Sequence, residues 1–203
     1  MSKSEEKHIV KATYGISSAS RADQNRHLPL LIWLTGLSGS GKSTLANGLE
    51  MQLHDKGVKT YHLDGDNLRK GINADLGFSM EDRSENIRRI AEIGALFLDA
   101  GLVVTAAFIS PLKKDRERVR DIVGRDRLLE VFVDCPIEMC EKRDVKGLYQ
   151  KAREGLITDF TGIDSPYESP DNPDLHLYTD RESIEQCVRK MVDRVLDKIK
   201  LQH

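Results

Sequence analysis

Three cysteines, one tryptophan and aromatic residues at only 5% leave this 203-residue chain short of the groups on which small secreted and metal-stapled proteins rely. Cys135, Cys140 and Cys187 cannot all pair with one another and show no metal-ligand spacing. A disulfide scaffold and a structural zinc site are therefore excluded, and a reducing, cytoplasmic setting is expected. No apolar run approaches the roughly 20 residues of a membrane-spanning helix. The charged segment Met1–Lys7 has none of the apolar core of a secretory signal. Neither sign of charge is in excess. Lys and Arg number 31 against 33 Asp and Glu, a formal balance of −2, which supplies no global pull toward nucleic acid or anionic membrane. Such a chain suits one domain large enough to bury a real core.

Glycine, by contrast, is concentrated where it carries information. Gly36-Leu37-Ser38-Gly39-Ser40-Gly41-Lys42-Ser43 fills the phosphate-binding pattern G-x-x-x-x-G-K-[ST] at every fixed position. The apolar run Leu30 to Leu34 before it reads as a buried strand. Thr44, Leu45, Ala46, Leu49 and Leu53 behind it recur at helical spacing. In that context Gly36, Ser38, Gly39, Ser40 and Gly41 offer main-chain N–H groups to phosphate at the positive end of a helix, with Thr44 in its first turn. Lys42 is expected to reach the β- and γ-phosphates of ATP, and the Ser43 hydroxyl to help hold Mg²⁺.

The residues before His27 are polar and weakly patterned, so residues 1–27 are read as an arm ahead of a catalytic domain at 28–203. From Leu28 onward, strand-like and helix-like runs alternate. Lys59 to Leu63 (ending at Asp64), Val103 to Ile109 and Leu128 to Val133 are expected strands, with Leu175 to Tyr178 a weaker fifth. Ile87, Ile90, Ala91, Gly94, Phe97 and Leu98 share one helical face; Ile184, Val188, Met191, Val192, Val195 and Ile199 form another stripe. Thr179, with Glu182 three residues on, is a capping-box candidate for that last helix. The pattern predicts an α/β fold: a three-layer P-loop NTPase of the nucleoside-kinase kind, with a mainly parallel five-stranded sheet and a lid segment. Ligands of such sheets bind at the carboxyl ends of the strands, so loops starting near Thr35, Asp64, Ile109 and Asp134 belong at one rim. Asp144 to Asn172 breaks the rhythm. It holds Lys146, Lys151 and Arg153 among glycines and prolines and lacks a long apolar stripe, which reads as a basic mobile lid.

Phosphoryl transfer asks for positioning and charge compensation more than covalent help. Asp64-Gly65-Asp66 ends the second strand. One carboxylate can orient Mg²⁺ through water and the other can accept a proton from an attacking hydroxyl; Asp66 is preferred for base or metal duty, and Asp64 is read as a metal partner or a helix cap. Arg69 and Arg83 offer planar cations to a sulfate, phosphate or carboxylate, and Asn86 lies one helical turn from Arg83. Arg88 and Arg89 are read as a solvated helix face. Phe78 and Phe160, each in a polar, glycine-containing stretch, are candidates to sandwich a purine. Ser110, in Phe108-Ile109-Ser110-Pro111, is placed to hydrogen-bond substrate; as a transient phosphate carrier it has no neighbouring histidine to activate it.

Taken together these segments resemble the adenylylsulfate kinase family. The matching strings are GLSGSGKST at Gly36–Thr44, LDGDNLR at Leu63–Arg69, DLGFS at Asp75–Ser79 and DRSENIRR at Asp82–Arg89. FISP at Phe108–Pro111, VFVDCP at Val131–Pro136, DVKGLY at Asp144–Tyr149 and FTGIDSPYE at Phe160–Glu168 follow in family order. The resemblance implies that ATP phosphorylates the ribose 3′-hydroxyl of adenosine 5′-phosphosulfate (APS), giving the 3′-phospho product and ADP. It implies an acceptor site of Asp66, Asn67, Arg69, Arg83 and Asn86, with Phe78 and Phe160 on the adenine and Ile109, Ser110 and Lys146 bordering the ribose and phosphosulfate. Arg143 resembles the lid-base arginine that packs on the ATP adenine, and Ser110 corresponds to a serine proposed as a phosphorylated intermediate in bacterial members. A homodimer is also implied. Two departures stand out: Gln150-Lys151 replaces a run of two basic residues after Tyr149, and no cysteine precedes His27 to form the redox clamp of plant relatives. The N-terminal segment also lacks transit-peptide character. Two other readings compete: a P-loop kinase for a sugar acid, and a catalytically dead nucleotide-binding module. The aromatic pair and arginine set argue against the first, the intact Lys42, Ser43 and Asp66 against the second.

Overall fold

Residues 15–201 are described by a computed structural model. At its centre β1 (Leu30–Thr35) is buried at every position. Leu30, Ile32 and Leu34 pack into one layer with α2 (Lys42–Asp55) and α8 (Ile184–Ile199), whereas Leu31 and Trp33 enter the opposite layer with α4 (Met80–Asp99) and α5 (Lys113–Val123). A strand apolar on both faces fits only the middle of a sheet covered on both sides. The sheet has five strands in the order β2-β3-β1-β4-β5, where β2 is Thr60–Asp64, β3 Val103–Ala107, β4 Leu128–Asp134 and β5 Leu175–Tyr178. Every pairing is parallel, so all strands end at one rim, with Leu34 opposite Ala107, Thr35 opposite Phe132 and Asp134 opposite Tyr178. The expected three-layer α/β architecture is the one observed. The remaining elements are short: α1 (Ser18–Asn25), α3 (Gly65–Arg69), α6 (Ile137–Arg143), α7 (Leu148–Arg153) and a 3₁₀ turn at Arg125–Arg127.

The structure departs from expectation in four places. β3 stops at Ala107 instead of Ile109. Thr35 Oγ1 donates to the Ile109 carbonyl at 2.8 Å and Ser110 turns with φ 39°, which draws the chain across the end of β1. The capping box of α8 is Ser183 with Gln186, not Thr179 with Glu182, because Thr179 spends its hydroxyl on the Ser40 carbonyl at 2.8 Å. Ile184, in the first turn of α8, is consequently 52% exposed and lies off the buried stripe.

The arm before His27 is not featureless: α1 docks on the turn between α4 and β3. Asn25 Nδ2 donates to the Gly101 carbonyl at 2.9 Å and Arg21 pairs with Asp99 at 3.4 Å. The rest of the expected arm, residues 1–14, lies outside the described residues. The lid, finally, has a small core of its own. Tyr149, Ala152 and Phe160 are buried with Cys135 and Cys140, against Leu37 and Ile137. A segment with no long apolar stripe thus closes on the glycine-rich loop through a few large side chains rather than one helical face.

Candidate active site

Three glycines permit the loop after β1. Gly39 and Gly41 adopt φ of 74° and 100°, where an L side chain is strained, and a Cβ on Gly36 would stand 2.4 Å from the Val133 carbonyl oxygen. The loop therefore lies directly on the end of β4 and delivers Lys42 as the first residue of α2. Lys42 is 8% exposed. Its ammonium donates to the Gly36 and Leu37 carbonyls at 2.9 and 2.7 Å, and burial lowers its pKa to about 8. Ser43 and Thr44 stand exposed in the first turn of α2.

Side chains from distant segments fasten this loop. Tyr149 of α7 donates its hydroxyl to the Ser38 carbonyl at 2.9 Å, and Thr179, just past β5, donates to the Ser40 carbonyl. Arg143, at the end of α6, donates to the Thr179 carbonyl at 2.6 Å and reaches the Gly39 carbonyl at 3.4 Å. Arg143 is thus tied down by one main-chain acceptor inside the glycine loop and one just past β5. Gln150, in place of a basic residue, is exposed and donates to Glu154 at 2.9 Å.

Across the rim, Asp64 caps α3: its Oδ1 accepts from the Asn67 N–H at 3.0 Å. Asp66 is exposed and accepts from Lys146 Nζ at 2.6 Å, so two residues expected at the site, 80 apart in sequence, meet. Asn67 is exposed beside it. Arg69 donates to the Gly77 carbonyl at 2.9 Å and lies over the Phe78 ring, 4.5 Å from its centroid. Arg83 joins the start of α4 to the lid, donating to the Phe78 carbonyl at 2.8 Å, Thr161 Oγ1 at 3.0 Å and the Asp159 carbonyl at 2.6 Å. The two phenylalanines have different surroundings. Phe78 is 67% exposed, while Phe160 is 8% exposed and meets the Tyr149 ring edge-on at 4.9 Å. Arg88 and Arg89 are not simply solvated. Both grip Glu85, holding its carboxyl down to about 2, and Arg89 makes a two-pronged pair with Asp75 at 2.7 and 2.8 Å.

Ser110 is 2% exposed, and its Oγ accepts the Trp33 indole N–H at 3.0 Å. Sequence reasoning overlooked what supports it. Arg116, 3% exposed, donates to the Ser110 carbonyl at 2.7 Å and to the Glu168 carbonyl at 2.6 Å, while pairing with Glu130 at 3.1 Å. Arg120 completes that buried cluster through the other Glu130 oxygen. A glutamate inside the apolar strand run Leu128–Asp134 was the visible signal, because a buried charge demands a partner. Tyr149, which holds the Ser38 carbonyl, was also missed.

A glycine cradle facing a cationic rim, with a packed segment over both, is the arrangement of a P-loop kinase for a small anionic acceptor. Residues 28–178 match the family described as adenylylsulphate kinase. The chain is 54% identical over 191 residues, 94% of its length and 95% of the relative's, to the probable adenylyl-sulfate kinase of Halalkalibacterium halodurans. It is 58% identical over 164 residues to the adenylyl-sulfate kinase of Clostridium kluyveri, covering 81% and 82% of the two chains. Among solved structures it is similar to the APS kinase of Mycobacterium tuberculosis in complex with AMPPNP and APS, with a TM-score of 0.80 and 49% identity, over 83% of this chain and 98% of that one. The chain belongs to the adenylylsulfate kinase family.

Proposed function

We infer that this chain transfers the γ-phosphoryl group of ATP to the 3′-hydroxyl of adenosine 5′-phosphosulfate, giving 3′-phosphoadenosine 5′-phosphosulfate and ADP in sulfate assimilation. The observation that carries this reading is the buried Lys42 ammonium, presented within an intact glycine loop at the same rim as Asp66, Arg69 and Arg83. On this reading Gly36, Ser38, Gly39, Ser40, Gly41 and Thr44 bind the triphosphate, and Lys42 exchanges its carbonyl partners for phosphate oxygens. Arg143 borders the ATP base while bracing Gly39.

Asp66 accepts the proton as the ribose oxygen bonds to phosphorus and the bond to the β-phosphate oxygen breaks. Its ion pair with Lys146 loosens at that step. Asn67, Arg69, Phe78, Arg83, Asn86, Ile109, Lys146 and Phe160 line the acceptor site. On this reading Ser110, buried and bonded to Trp33, shapes the acceptor loop from beneath rather than carrying phosphate. Among the described residues, no group of three or more His, Cys, Asp or Glu is arranged to hold a metal alone. That suits Mg²⁺, which is commonly bound by few protein groups together with substrate phosphates. Ser43 and the uncapped oxygen of Asp64 are the groups to hold it, and the ion neutralises triphosphate charge when bound.

Residues 28–203 form the catalytic unit, working as a homodimer in the cytoplasm, with residues 1–27 as an appended arm. None of the helices among the described residues is long and apolar enough to cross a membrane. A coupled ADP-release assay comparing APS with other hydroxyl acceptors, sugar acids included, tests the activity. Turnover with APS alone is expected; preference for a sugar acid would overturn it. Sedimentation of the purified chain tests the dimer.

A further inference from the structure

Asn73 is fully buried, yet its Oδ1 has no hydrogen-bond partner among the described residues. Buried polar groups are nearly always paired, and one left stranded calls for an explanation other than stability. A leucine, branched at the same carbon though larger, would carry no polar atom to strand. Asn73 sits in the 70–78 loop between α3 and α4, fixed there by main-chain bonds from its N–H to the Leu68 carbonyl at 2.9 Å and from the Leu76 N–H to its own carbonyl at 3.2 Å. Its Nδ2 donates to Asn86 Oδ1 on α4 at 2.9 Å. That bond occupies the oxygen of Asn86 and leaves the Asn86 Nδ2 without an acceptor among the described residues. The same loop provides the carbonyls of Leu76, Gly77 and Phe78 that Arg69 and Arg83 hold, and Arg89 grips the Ile72 carbonyl at 3.1 Å.

We propose that Asn73 is a positioning residue for the acceptor nucleotide: its buried carboxamide turns the Asn86 amide donor toward the sulfated nucleotide and clamps the 70–78 loop to α4, setting Arg69 and Phe78. The inference rests on the reading of the acceptor given above. It assigns Asn73 no contact with the reacting atoms; the residue works through Asn86.

Asn73→Asp separates this role from simple packing, because a carboxylate accepts from Asn86 and cannot donate to its oxygen. Asn86 must then turn round and present an oxygen to an anionic ligand. Asn73→Leu removes the stranded acceptor and the bond to Asn86 together. Both variants are expected to raise the KM for APS about tenfold, the effect of losing one well-placed hydrogen bond. The KM for ATP should stay within about twofold.

In an Asn86→Ala background, Asn73→Asp should add nothing further to the KM for APS, the signature of action through a shared partner. An unchanged KM for APS in both Asn73 variants overturns the inference, as does a parallel rise for ATP and APS with a lowered melting temperature. Full additivity in the Asn86→Ala background does the same. Failure of the unaltered protein to turn over APS would instead overturn the function reading, and this inference with it.

Discussion

Around Lys42 the hydrogen bonds run from side chains to main-chain carbonyls and are buried or half-buried; around Asp66 they run between charged side chains at the surface. The donor cradle is laced by Tyr149 to Ser38, Thr179 to Ser40 and Arg143 to Gly39, contacts between residues 104 to 139 apart in sequence. The acceptor side is joined by Asp66–Lys146, whose side chains are 69% and 64% exposed, by Arg89–Asp75, and by Arg69 and Arg83 on the Gly77, Phe78 and Asp159 carbonyls. Buried bonds to carbonyls fix main-chain amides in one geometry, as a triphosphate tail requires. A lone exposed ion pair such as Asp66–Lys146 contributes little and is weakened by salt, so it can be exchanged for a ligand's charges at small cost. The rigid half suits the invariant part of the reaction and the looser half suits the incoming acceptor.

Lys42→Met tests the rigid half most severely. Loss of about 10²–10³ in kcat is expected when a charge-stabilising donor is removed from the transferring group. The same substitution has a signature without substrate. Burial lowers the Lys42 ammonium from 10.5 to about 8, so between those values the unfolded chain binds more protons and this residue adds stability as pH rises. The nucleotide-free stability of the unaltered chain minus that of Lys42→Met should climb by up to about 3 kcal/mol from pH 8 to 10.5 and stay flat below pH 8. Denaturant titration across that range measures it; a flat difference throughout would place the ammonium in water.

Asp66→Asn tests the looser half. On the base role proposed for Asp66, kcat should fall by about 10²-fold, with the melting temperature kept because the side chain is exposed. Phe160→Ala and Phe78→Ala then sharpen the contrast between two aromatic residues that look alike in sequence. Phe160 is buried on Tyr149, and its loss should cost about 3–5 kcal/mol of stability. Phe78 is exposed, and its loss should stay within about 0.5 kcal/mol while raising the KM for APS more than that for ATP. Equal stability losses in thermal denaturation would show that the two sites do not differ. Tyr149→Phe has the smallest expected effect: about 1 kcal/mol from one lost bond to the Ser38 carbonyl, felt as a higher KM for ATP and not for APS.

The layers were legible in the sequence because they are written in periodicity. β1 is apolar at each position because both its faces are covered, and the α4 and α8 stripes mark the sides that meet the sheet. The glycine loop was legible because positive φ and a close approach to Val133 restrict the residue type. What periodicity cannot carry is a side chain bonded to a remote carbonyl. Thr179 looked like a helix cap because Ser and Thr serve both purposes, and only the fold brings Ser40 beneath it. The Phe78 and Phe160 pairing rested on composition, and burial separates them. Arg116 was hidden among the exposed charges of α5, with nothing in its spacing to tie it to Glu130.

Trp33, the lone tryptophan, has its indole 1% exposed, stacked on Phe108 at 5.4 Å and bonded to the hydroxyl of Ser110. Nature has thereby wired one fluorophore to the floor of the acceptor loop. Its emission, free of any competing indole, is expected to shift when a nucleotide arrives there, and a stopped-flow trace of the unlabelled protein reads that on the millisecond scale.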